Sequence, residues 1–153
     1  MNSSTAKTVK NLEAAFAGES MANRKYLYFA KLCREMGAND VAEVFEQTAE
    51  QETAHAFGHL DLLYPKHTLT PQKMLQMAID GETYEYTEMY PAFRHTALEE
   101  KDHAAVKEMD EQISESKQHA QLFETAAKRF AALAKVEERH ANHYRDTLAK
   151  VSK

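Results

Sequence analysis

Leu12, Phe16, Glu19, Asn23, Tyr26, Ala30 and Cys33 follow one another at alternating steps of three and four residues. With about 3.6 residues per turn, that spacing draws one stripe along a helix. It predicts a first helix over roughly residues 5–36, with a glutamate inside its apolar face. Val41, Phe45, Thr48, Glu52, His55, His59 and Leu62 repeat the pattern, and so do Leu75, Ala78, Glu82, Glu85, Met89, Ala92 and Thr96. Only four Gly and three Pro interrupt 153 residues, so the chain reads as all-α with few turns.

The breaks fall where turn chemistry allows. Gly37 suits the left-handed end of the first helix, and Asn39 or Asp40 suits the start of the second. Residues 64–71 form the one clear loop, with Thr70 placed to cap a third helix and Pro71 in its first turn. Pro91, inside that helix, removes one hydrogen bond and predicts a kink. Residues 103–151 read as helix almost throughout, longer than a matching fourth helix needs. A chain of this length can bury one core, so a single domain spanning 1–153 is expected.

The formal charge of −5 includes no basic block to follow a phosphate backbone, which argues against nucleic acid as a partner. No run of about 18 apolar residues would cross a membrane, and Met1–Lys10 lacks the apolar stretch of a secretion signal. The expectation is a cytoplasmic protein. Cys33 is alone, so no thiolate pair can hold iron or zinc.

Glutamate is seldom buried without a cationic partner, yet Glu19, Glu52, Glu82 and Glu85 all occupy interior slots of these stripes. Two segments also carry Glu-x-x-His, Glu52 to His55 and Glu137 to His140, and a spacing of three aims both side chains at one point. One Glu from each of two helices, plus Glu-x-x-His from each of two others, is the ligand pattern of di-iron carboxylate bundles. Imidazole with several carboxylates suits iron or manganese. Five carboxylates set −5 against +4 from two ferrous or +6 from two ferric ions, so either state is nearly neutralised. A lone Glu-x-x-His is more often a solvated pair; two of them with further interior glutamates are not explained that way. His59 and His143, one turn beyond, are expected in supporting or surface roles, and His67, His95 and His103 in solvent. Tyr26, on the face of Glu19, could donate to a metal-bound carboxylate or pack as core.

At these residues the chain resembles the rubrerythrins, in particular short members without a rubredoxin-like tail. The shared segments are Phe16-Ala17-Gly18-Glu19-Ser20, Arg24-Lys25-Tyr26, Glu52-Thr53-Ala54-His55, residues 81–91 from Gly81 through Glu82, Glu85 and Tyr90 to Pro91, and Val136-Glu137-Glu138-Arg139-His140. They span roughly residues 8–100 and 127–148. The resemblance implies a ferritin-like four-helix bundle, here with an extended third and fourth helix region. It implies two iron ions held by Glu19, Glu52, His55, Glu82, Glu85, Glu137 and His140. Glu85 and His55 would exchange as one iron changes oxidation state, and Tyr26 and Tyr90 would donate hydrogen bonds. It implies reduction of hydrogen peroxide by a homodimer, with electrons from an external donor such as a rubredoxin-like protein. Two other functions fit the same residues: a ferroxidase that handles iron, and a metal-stabilised bundle that binds a partner.

Spacing and motif disagree about the last ligands. Glu19 and Glu52 are 33 residues apart, which would match Glu85 with residue 118, beside Glu115 and His119. The motif points instead to Glu137 and His140. Met109, His119, Ala120 and Phe123 recur 21 residues later as Phe130, His140, Ala141 and Tyr144; 21 residues are three heptads, so both copies share one stripe. In that register Ser116 stands where Glu137 does, and Glu115 is rotated by about 100°. A turn near residues 109–114 would bring Glu137 level with Glu85. The expectation is therefore that Glu137 and His140 are ligands and that Glu115 and His119 are not.

Overall fold

A computed structural model describes residues 3–151, and every regular element in that span is helical. They are α1 (Ser3–Glu35), α2 (Asn39–Leu63), α3 (Pro71–Tyr84), α4 (Tyr90–Glu99) and α5 (His103–Val151). A 3-10 turn covers Lys66–Thr68, and a π turn, Glu85–Met89, joins α3 to α4. The all-α class is as expected. Contacts gather into two compact units, Met1–Leu69 and Thr70–Lys153. In the first α1 packs on α2; in the second α5 packs on the run of α3, the π turn and α4. None of the described helices is long and apolar enough to cross a membrane.

The first hairpin turns on Gly37, whose φ of 80° only glycine adopts at little cost. Gly37 N donates to Arg34 O at 3.0 Å and Ala38 N to Cys33 O at 2.8 Å, the paired bonds that close a helix after a left-handed residue. The expected cap of α2 is absent: Ala38 holds the capping position and no side chain accepts a bond there. The α1 face matches its spacing, with Ala30 buried and Leu12, Phe16, Glu19, Asn23, Tyr26 and Cys33 half-buried. On α2 the deepest positions are Ala42, Ala49 and Ala56 at 0, 0 and 6% exposure, one place on from Val41, Thr48 and His55. Small side chains at every seventh position let the two backbones approach, and this displaces Val41 outward.

In the second unit Thr70 Oγ1 accepts from Lys73 N at 3.2 Å and Pro71 follows in the first turn, as expected. The irregularity near Pro91 is the π turn preceding it rather than a simple kink. Pro91 has no N–H to give the carbonyl of Thr87, and Tyr90 N reaches back to Glu85 O instead. The extra residue moves the buried face on by one. Ala97 is buried and Tyr90, Pro91 and Arg94 are half-buried, while Ala92 and Thr96, predicted to face inward, are exposed.

The turn between α4 and α5 lies at residues 100–102, not at 109–114. Lys101 takes the left-handed conformation at φ 63°, and Asp102 N donates to Ala97 O at 2.9 Å. Asp102 Oδ1 then accepts from Ala105 N at 3.0 Å and caps α5. Arg94 pairs with Asp110 across this hairpin, Nε to Oδ1 at 2.5 Å.

Candidate metal centre

In the first hairpin one residue from α1 meets two from α2. Glu19, Glu52 and His55 each offer a ligand atom, and these atoms lie within 4.8 Å of one another. His55 Nδ1 is 2.9 Å from Glu52 Oε2 and 4.0 Å from Glu19 Oε2. Register is fixed by Asn23, one turn after Glu19, whose Nδ2 donates to Ala49 O at 2.6 Å and Thr53 Oγ1 at 2.9 Å. Glu52 is the deepest of the three, with its side chain 16% exposed, whereas His55 is 59% exposed.

Glu19 and Glu52 shift each other's ionisation in opposite directions. The hydrogen bond to Glu52, then burial and the charge of Glu52, raises the Glu19 carboxyl above its ordinary value. The same hydrogen bond, with that to His55, lowers Glu52. Two carboxylates this close cannot both ionise freely unless a cation joins them. His59, one turn past His55, adds its influence by lowering Glu19 slightly.

The second hairpin brings Glu82 and Glu85 to α5. His119 Nδ1 lies 3.4 Å from Glu82 Oε2, and Ser116 Oγ donates to Glu85 Oε2 at 2.9 Å. Tyr90, edge-on to Phe93 with ring centroids 6.4 Å apart, has its phenol raised by burial and then by Glu85, Glu82 and Glu108. Tyr26 lies in the first hairpin, its ring centroid 5.9 Å from that of Phe45.

Glu137 and His140 are not brought to Glu82 and Glu85, and this corrects the expected hairpin. With the turn at 100–102, they lie 21 residues past Ser116 and His119 on α5, about 30 Å farther along the axis. They face each other loosely, Nδ1 to Oε2 at 4.0 Å, with side chains 59% and 77% exposed. Glu115 is exposed, as its rotation off the stripe required. Ser116 and His119 are therefore the residues that motif reading passed over. The 33-residue spacing had pointed to their neighbourhood, and Asp102 was the helix-capping signal that placed the turn.

The donors suit a hard or borderline divalent cation. Glu82 Oε2 is buried and has no hydrogen-bond partner; such an oxygen costs free energy unless a cation meets it. In each hairpin two half-buried carboxylates stand beside an imidazole, with no thiolate among them, a donor type that fits iron or manganese.

Comparison with known proteins gives one consistent answer. The Rubrerythrin family profile matches residues 10–126, a span that includes Ser116 and His119 and stops before Glu137. Rubrerythrin of Porphyromonas gingivalis is 35% identical over 158 aligned positions, covering 95% of this chain and 68% of the relative. Nigerythrin of Nitratidesulfovibrio vulgaris is 38% identical over 65% of this chain and 55% of its own length. That organism's rubrerythrin is 32% identical over 92% of this chain and 68% of its own. Among solved structures, nigerythrin in a mixed-valence state aligns at 33% identity and a TM-score of 0.42, covering 82% of this chain and 68% of the other.

Proposed function

The chain belongs to the rubrerythrin family, whose members bind iron, and on that premise we propose an oxidoreductase that reduces hydrogen peroxide to water. Its iron ligands are Glu19, Glu52, His55, Glu82, Glu85 and His119. The observation that carries this reading is the buried Oε2 of Glu82, which accepts no hydrogen bond, beside His119 Nδ1. Two iron ions, when bound as Fe(II), would supply the two electrons that peroxide needs. One peroxide takes up two electrons and two protons and leaves as two waters.

The chain's own residues would prepare this chemistry electrostatically. On loading, Glu19 releases whatever proton its raised pKa retains, and Glu19 and Glu52 then present two negative charges to a cation. In the second hairpin Glu82 and Glu85 likewise present two negative charges, which balance a divalent ion. The Tyr90 phenol, kept protonated by burial and by Glu85 and Glu82, is available to donate a hydrogen bond beside that pair. A rubredoxin-like donor returns the electrons.

Stopped-flow mixing of the Fe(II)-loaded protein with peroxide and with oxygen tests the reading. Faster oxidation by peroxide, with one peroxide consumed per two Fe(II), is expected. Faster oxidation by oxygen would replace it with a ferroxidase role.

A further inference from the structure

We propose that Ser116 is a positioning residue: it holds Glu85 in place for metal and, by being a serine, tunes the centre toward its divalent state. This rests on the iron-binding reading above. Ser116 is 3% exposed, the only polar residue that is buried among the described side chains. Its Oγ donates to Glu85 Oε2 at 2.9 Å. Ser116 and His119 are one turn apart on α5, as Glu85 and Glu82 are across the junction of α3 and the π turn. The contacts Ser116–Glu85 and His119–Glu82 are thus adjacent rungs of one ladder.

The stripe of α5 carries two versions of the same pair. Ser-x-x-His at 116–119 meets Glu82 and Glu85, while Glu-x-x-His at 137–140, three heptads on, does not. The difference has physical consequences at the copy that packs. A hydroxyl facing Glu85 donates a charge-assisted hydrogen bond and holds that carboxylate in one rotamer. A glutamate there would set a third negative charge against Glu82 and Glu85. Partners that orient a ligand in this way typically matter about 10–100-fold in metal affinity. The serine also leaves Glu82 and Glu85 as the two carboxylates facing this part of α5, a total of −2, which neutralises a divalent ion and leaves a trivalent ion in excess by +1. A site so built favours the reduced ion more than one with a third carboxylate.

Titration calorimetry with Mn(II), with circular dichroism as the folding control, tests the positioning role. Ser116→Ala is expected to weaken Mn(II) binding by about tenfold, and Ser116→Thr, which keeps the hydroxyl, to recover most of it. The charge argument is read separately: Ser116→Glu lowers the midpoint potential of the iron-loaded protein. A Ser116→Ala protein that melts earlier but binds Mn(II) as tightly as wild type shows a merely space-filling serine and overturns the proposal alone. An unchanged potential in Ser116→Glu overturns the tuning. Wild-type protein that takes up neither Mn(II) nor iron overturns the iron reading, and this inference with it.

Discussion

Glu82 Oε2 is buried without a hydrogen-bond partner and lies 3.4 Å from His119 Nδ1. A carboxylate oxygen is left this way at a cost unless the chain is arranged for a cation. His119 should therefore matter to metal uptake where His140 does not. His119→Ala is expected to lower the iron retained after reconstitution, with affinity down by at least about tenfold, while His140→Ala stays at the wild-type level. Elemental analysis of both variants decides it. Loss of iron from His140→Ala alone would return the ligand role to the distal motif.

Proton release should accompany metal binding through Glu19. Its folded pKa is raised, so the stabilisation from its protonated form is full below the unfolded value of 4.5 and is lost as pH rises through the folded value. Glu52 is shifted the other way, and its contribution is present above 4.5 and lost as pH falls through its lowered value. The metal-free protein should accordingly lose stability as pH climbs from 4.5 through the Glu19 transition, and Glu19→Gln should flatten that slope. Thermal melts of the metal-free proteins at several pH values provide the check.

Metal loading should also be felt at Tyr90. Burial raises its phenol first, and the charges of Glu85 and Glu82 add to that. A bound divalent cation cancels those charges, so the phenol pKa should fall toward 10.0 while burial keeps it above. Ultraviolet titration with and without Mn(II), using Tyr90→Phe to identify the signal, measures the change. A phenol that rises on loading would place the metal elsewhere.

The alanine line of the first hairpin sets how close α1 and α2 can lie. Ala49 has no exposed surface, and its carbonyl receives the Asn23 side chain at 2.6 Å. Ala49→Leu should cost about 1–3 kcal/mol through overpacking. Because it pushes Glu52 from Glu19, metal uptake should fall with it. Urea unfolding followed by metal analysis tests both.

Lys101 holds a left-handed backbone angle, φ 63°, where a side chain is unfavourable. Lys101→Gly relieves that cost and should stabilise the protein by up to roughly 1 kcal/mol. A destabilised variant would mean that the lysine side chain holds the turn.

Much of this was legible in one dimension. The steps of three and four fixed the helices, Gly37 and Thr70 marked two of their boundaries, and Glu19, Glu52, Glu82 and Glu85 stood out as carboxylates on apolar stripes. Helical periodicity is a local property, and each of these signals lies within a few turns of the residue it describes. The face of α4 was misread because a π turn adds one residue that no 3.6-residue count contains.

The sequence by itself determined that this chain is helical, that carboxylates interrupt its apolar stripes, and that two Glu- or Ser-x-x-His pairs share one stripe of the last helix. Only the tertiary structure decided which pair is used. A stripe repeating every seven residues packs equally well in registers three heptads apart, so periodicity could not choose between Ser116 with His119 and Glu137 with His140. The choice was made at the turn, where Asp102 caps α5 and Lys101 accepts a left-handed angle. It sets Ser116 against Glu85 and leaves Glu137 in solvent.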